Sequence, residues 1–151
     1  MNKTDDLLSF LKTKASVPPL DQPKISGEER KRIWLKNLDE LYTLIKGWLK
    51  PLEDDQLVRY WNEKIHLTEM YIGSYEVDVL NMHIGNQLIS FYPKGTVIVG
   101  AEGRVDVQGE KSTRVIIFNE NQWFVLQRAN RPKTVPFNKE SFQDLLREVM
   151  K

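Results

Sequence analysis

The chain has no cysteine, which excludes disulfides, thiolate zinc sites and thiol nucleophiles together. Histidine is almost as scarce. His66 and His83 are the only two, and they stand at neither H-x-H nor H-x-x-x-H spacing, so no local metal motif exists. No apolar run approaches the roughly 20 residues that a membrane-spanning helix needs. The stretch Leu7-Leu8-Ser9-Phe10-Leu11 follows two aspartates and lacks a small-residue cleavage site, so it does not read as a signal peptide. Excess charge is missing too. With 22 Lys plus Arg against 21 Asp plus Glu, the net charge of +1 gives no long-range field for nucleic acid or an anionic membrane. A G-x-S-x-G nucleophile elbow is absent.

Glycines are few, yet four of the eight fall between Tyr92 and Gly109. A phosphate-binding loop needs G-x-x-x-x-G-K-[ST] between a strand and a helix. Gly95 and Gly100 have that separation, but Ala101 and Glu102 follow where Lys and Ser or Thr are required. The four residues Thr96-Val97-Ile98-Val99 are strand formers, and Val105 and Val107 continue an alternating pattern. These glycines read as turns between strands.

What remains is the composition of one ordinary domain: 151 residues, 40% hydrophobic and 28% charged. Thr4, Asp5 and Asp6 suit a helix start, and Leu7, Leu8, Leu11 and Ala15 share a face. Three prolines between Val17 and Pro23 then imply a stiff linker. Residues 1–25 are therefore expected to form an amphipathic helix and linker, and residues 26–151 a single α+β domain.

Ser26 and Glu29 have the spacing of a capping box. The apolar stripe Trp34, Leu38, Leu41, Ile45, Trp48 predicts a long helix that Pro51 stops. Leu57, Val58 and Trp61 fit one or two further helical turns. From about Lys64 the period becomes two, with strands expected at 65–72, 75–84, 87–92, 96–99, 104–108, 113–118 and 122–128. Turns this short make neighbours antiparallel. Asn138 then caps a helix whose Phe142, Leu145, Leu146 and Val149 share a face. The fold class is α+β: two N-terminal helices, a six- to seven-stranded antiparallel β-meander, and one C-terminal helix packed on the sheet.

Candidate sites follow from register. If Gly73-Ser74 is a two-residue turn, Glu69 faces Asp78 across the ladder, and His66 and His83 share the opposite face. Opposed carboxylates raise one another's pKa, as a general acid requires. That defines one functional alternative, a carboxylate-dependent hydrolase centred on Glu69 and Asp78, with or without a metal ion. Further along, Val105, Val107, Ile116, Phe118, Trp123 and Val125 form one strand face. The other face carries Val115, Ile117, Phe124 and Leu126 together with Arg104, Asp106 and Arg128. Strands apolar on both sides must be covered on both. Arg104, Asp106, Phe124 and Arg128 are accordingly the expected binding residues, unless Arg104 and Asp106 merely pair on a solvated edge. The leading expectation is a non-enzymatic cytoplasmic protein-binding or adaptor module, a small bacterial accessory protein. Its partner is another protein or a second copy through the sheet face, with no metal, cofactor, membrane or nucleic acid.

Overall fold

A computed structural model describes residues 26–96, 101–127 and 133–151. The helix and linker expected over residues 1–25 lie outside these. The first described helix, α1 (Gly27–Trp48), begins with half of the expected capping box: the Ser26 hydroxyl accepts the Glu29 amide at 3.0 Å, while the Glu29 carboxylate turns to Arg32, and Glu28 and Glu29 fill the first turn. Trp34, Leu38, Leu41, Tyr42 and Ile45 form its buried stripe. The helix ends at Trp48, just ahead of Pro51, as the sequence predicts. Pro51 itself sits in the first turn of a separate five-residue helix, α2 (Lys50–Asp54), where its missing N–H is not needed.

Seven strands follow in sequence order, each antiparallel to the next: β1 (Val58–Glu69), β2 (Gly73–Ile84), β3 (Gln87–Gly95), β4 (Gly103–Gln108), β5 (Thr113–Asn119), β6 (Gln122–Gln127) and β7 (Lys133–Pro136). The meander is confirmed. One element is corrected. Val58 and Trp61 are not helical but open β1, paired with Ile84 and Asn81; over so short a window apolar spacing fits either period, and the ladder decides. The strand expected at 96–99 lies beyond Thr96 outside the described residues. The seventh described strand is Lys133–Pro136, concealed in the sequence by its proline. As an edge strand it can hold Pro136, whose ring needs no outward hydrogen bond.

The last helix, α3 (Lys139–Val149), has a capping box in which Asn138 and Ser141 exchange side-chain to backbone bonds. Its Phe142, Leu145, Leu146 and Val149 are buried as expected. The Lys111 amide donates to the Val149 carbonyl at 2.9 Å, fastening the helix end to the β4–β5 turn. Both long helices bury their stripes against one face of the sheet, which presents Ile89, Phe91, Val105, Val107, Ile116, Phe118, Trp123 and Val125.

The first hairpin behaves differently from the rest. β1 and β2 pair over twelve positions, but β2 and β3 pair only from Leu80–Phe91 to Ile84–Gln87. Beyond that point the core-facing residues of β2 change parity, from Met82 and Leu80 to Val77 and Tyr75. The far half of the hairpin leaves the sheet and runs along α1. The Tyr42 hydroxyl donates to the Asp78 carbonyl at 2.7 Å, and an added Cβ on Gly27 would stand 2.0 Å from the Tyr71 oxygen.

Candidate binding face and the Glu69 cluster

The first hairpin turn sets the fate of both carboxylates. Tyr71 and Gly73 take φ values of 75° and 87°, and Glu69 pairs with Gly73 across a three-residue loop, Met70 to Ile72. Gly73 and Ser74 belong to the strand. Relative to the two-residue turn expected, this slides the pairing by five positions, an odd number, and every side chain changes face. Glu69 therefore does not oppose Asp78. Asp78 pairs with Lys64, whose ammonium lies 2.8 Å from its carboxylate, although the contact lacks hydrogen-bond geometry at the buried oxygen. His66 faces Glu76 while His83 faces Arg59, so the two imidazoles differ in parity along the hairpin, and because the core-facing parity changes between them neither points into the core.

Glu69 has a different set of partners. Its carboxylate accepts from the Tyr75 hydroxyl, from the Thr96 amide at 2.6 Å and from the Thr96 hydroxyl at 2.8 Å. Arg30 of α1 in turn donates to the Thr96 hydroxyl and carbonyl, at 3.0 and 3.3 Å. Gly95 makes room for this, since a Cβ there would stand 2.8 Å from the Glu69 carboxyl carbon. The cluster ties together β1, β3 and α1 where β2 and β3 diverge. Burial pushes the Tyr75 phenol pKa up, and the adjacent Glu69 carboxylate pushes it further.

The register correction reverses an expected effect. With opposed carboxylates Asp78→Asn would relieve repulsion. In the observed pairing it removes the partner of Lys64, so it should cost a few tenths to about 1 kcal/mol, the usual worth of a surface ion pair. Urea melts of the two proteins at neutral pH, with and without 1 M salt, check this. A stabilised Asp78→Asn protein would contradict the pairing.

The sheet face turned away from α1 and α3 carries the expected binding residues. Arg104 pairs with Ile117, which pairs with Phe124; Asp106 pairs with Val115, which pairs with Leu126. Val115, Ile117, Phe124 and Leu126 are half-buried. Arg104 and Asp106 do bond each other, Nε to Oδ1 at 2.7 Å, but on β4, the middle strand of seven, with the Asp106 side chain only 12% exposed. Arg128 lies outside the described residues. The sequence did not single out the continuation of this face toward β1. There Trp61, 42% exposed, stacks edge-on against His83 with ring centres 5.0 Å apart. Beside it the Ser90 hydroxyl donates to buried Asn81 at 2.5 Å. Alternation along β2 was the available signal, but an assumed turn length gave it the wrong partner strand positions.

The face thus combines a row of aliphatic and aromatic side chains with one internally neutralised ion pair. Among the described residues no group of three His, Asp or Glu side chains is placed to hold a metal ion. No described helix is long and apolar enough to cross a membrane. Neither a protein-family model, nor a curated protein, nor a solved structure matches the chain.

Proposed function

We propose that this protein is a non-enzymatic protein-binding or adaptor module working in the cytoplasm, with the β4–β6 sheet face as its contact surface. One observation carries the reading: Val115, Ile117, Phe124 and Leu126 lie half-exposed on a face where the buried residues of α1 and α3 do not pack. A contiguous apolar face of this kind is ordinary for an interface and costly to leave in water. The Arg104–Asp106 pair supports the same reading. Each charge already has its partner, so covering the face leaves neither one newly unpaired, and the pair imposes orientation on whatever docks.

A second copy of the chain is the simplest partner, because an isologous contact needs only this one patch. Sedimentation equilibrium over a hundredfold concentration range should show association that Phe124→Glu and Ile117→Glu each weaken at least tenfold. Both variants should keep the wild-type far-UV spectrum, since neither side chain belongs to the core beneath the helices. A wild-type monomer at every concentration would remove self-association through this face.

A further inference from the structure

Beside the Glu69 cluster, on the opposite side of the sheet from the proposed interface, is a cavity of about 240 Å³. Arg30, Trp34 and Asn37 of α1 line it, with Thr96 after β3, Glu102 before β4 and Phe118 of β5. We infer that it binds a small organic monocarboxylate, held by the Arg30 guanidinium against the Trp34 and Phe118 rings.

Arg30 carries the inference. Arg32, Arg104, Arg114 and Arg147 each bond a carboxylate. Arg30 is half-buried, and among the described residues its guanidinium bonds only the neutral oxygens of Thr96. Those bonds use Nε and Nη2. They fix the plane of the group and leave Nη1 and the second hydrogen of Nη2 for an incoming acceptor. Among the described bonds the Glu69 oxygens take the Tyr75 and Thr96 donors, and Arg30 bonds Thr96. Thr96 is thus a positioning residue, presenting a guanidinium whose counter-charge is one neutral side chain away.

The walls decide the class of ligand. Trp34 is 1% exposed and Phe118 is buried too, so these walls offer the guest apolar ring surface. The volume is below the usual range for drug-sized ligands, which limits the guest to a few carbons. Glu102 stands at the exposed side with one carboxylate oxygen taken by the Glu120 amide at 2.9 Å. Its negative charge disfavours a dianion such as phosphate and tolerates a single carboxylate aimed at Arg30.

The test titrates the full chain with propionate, propionamide and inorganic phosphate at constant ionic strength. Binding is followed by melting temperature and by the indole N–H resonances, with Trp34 assigned through Trp34→Phe. Propionate should give saturable shifts of the Trp34 resonance and a raised melting temperature. Propionamide and phosphate should give neither. Arg30→Lys should weaken propionate at least tenfold by losing the planar fork. Glu102→Gln, which keeps an acceptor for Glu120, should tighten propionate severalfold and admit phosphate. A propionamide response equal to that of propionate overturns the inference. So does the absence of any saturable propionate response in the wild type, or an unweakened response in Arg30→Lys.

Discussion

Trp34→Leu and Gly103→Ala should each destabilise the protein, by about 2–4 and 1–3 kcal/mol, yet together cost clearly less than the sum. The reason is one close approach. Trp34 is buried against Trp123, ring centres 6.1 Å apart, and its benzo edge lies over Gly103 in β4. A Cβ on Gly103 would come within 2.3 Å of Trp34 Cζ3 and about 3.0 Å of two neighbouring ring carbons. A rigid indole held between a strand and a second tryptophan cannot yield as the tip of a flexible side chain would. The alanine must therefore displace the helix or the strand. Leucine at position 34 leaves a void where the ring was, which a methyl group added at position 103 partly fills. Residues in direct contact typically couple by about 0.5–3 kcal/mol, and here the sign is that of rescue. Urea melts of the four proteins measure it. Additivity within about 0.4 kcal/mol would mean the ring does not lie where the structure places it.

That contact shows where sequence reading ran out. α1 was legible because its signals are local: Ser26 three residues before Glu29, and a stripe of period 3.6 from Trp34 to Ile45. The two faces of β4 to β6 were legible because Glu120 and Asn121 form the two-residue turn that their types predict, with φ of 50° and 63°, so register follows. The first hairpin was not legible. Nothing in Met70-Tyr71-Ile72 announces a turn, whereas Gly73-Ser74 does, and glycine there serves a positive φ at the strand entry instead. The resulting odd slip moved Glu69 away from Asp78 and toward Thr96. Thr96 is 27 residues from Glu69 and 66 from Arg30, so no pattern of local period could bring the three together. β7 was hidden for a related reason, since a proline is excluded from a central strand but not from the last one. Local chemistry wrote the elements, and the divergence of β2 from β3 assembled the polar cluster.

Raising the pH above 10 should unfold the protein steeply, through two buried phenols. Tyr42 and Tyr75 are only 7% and 6% exposed. Burial is the main cause that pushes both above the usual tyrosine value of 10. The neighbouring carboxylates act in the same direction: Asp78, then Asp39, for Tyr42, and Glu69 for Tyr75. In the unfolded chain both ionise near pH 10. A folded pKa above the unfolded one means that the native state holds its protons while the unfolded state releases them. The stabilisation is therefore complete below pH 10 and is lost as pH climbs from 10 toward the folded values. Each phenol contributes a slope of about 1.4 kcal/mol per pH unit in that window, so the pair gives about 2.7. Tyr60, half-buried and raised to about 12, adds a smaller share that solvent screens. Two units above pH 10 would remove about 5 kcal/mol, comparable to the whole stability of a marginal domain. Tyr42→Phe should cost about 1 kcal/mol at pH 8 for its lost bond to the Asp78 carbonyl. Between pH 10 and 11 it should roughly halve the slope. Urea midpoints at half-unit intervals from pH 8 to 11 measure both quantities in wild type, Tyr42→Phe and Tyr75→Phe. If the slope above pH 10 is the same in all three proteins, lysine discharge at the Lys64–Asp78 and Lys50–Asp54 contacts, and not the phenols, governs alkaline unfolding.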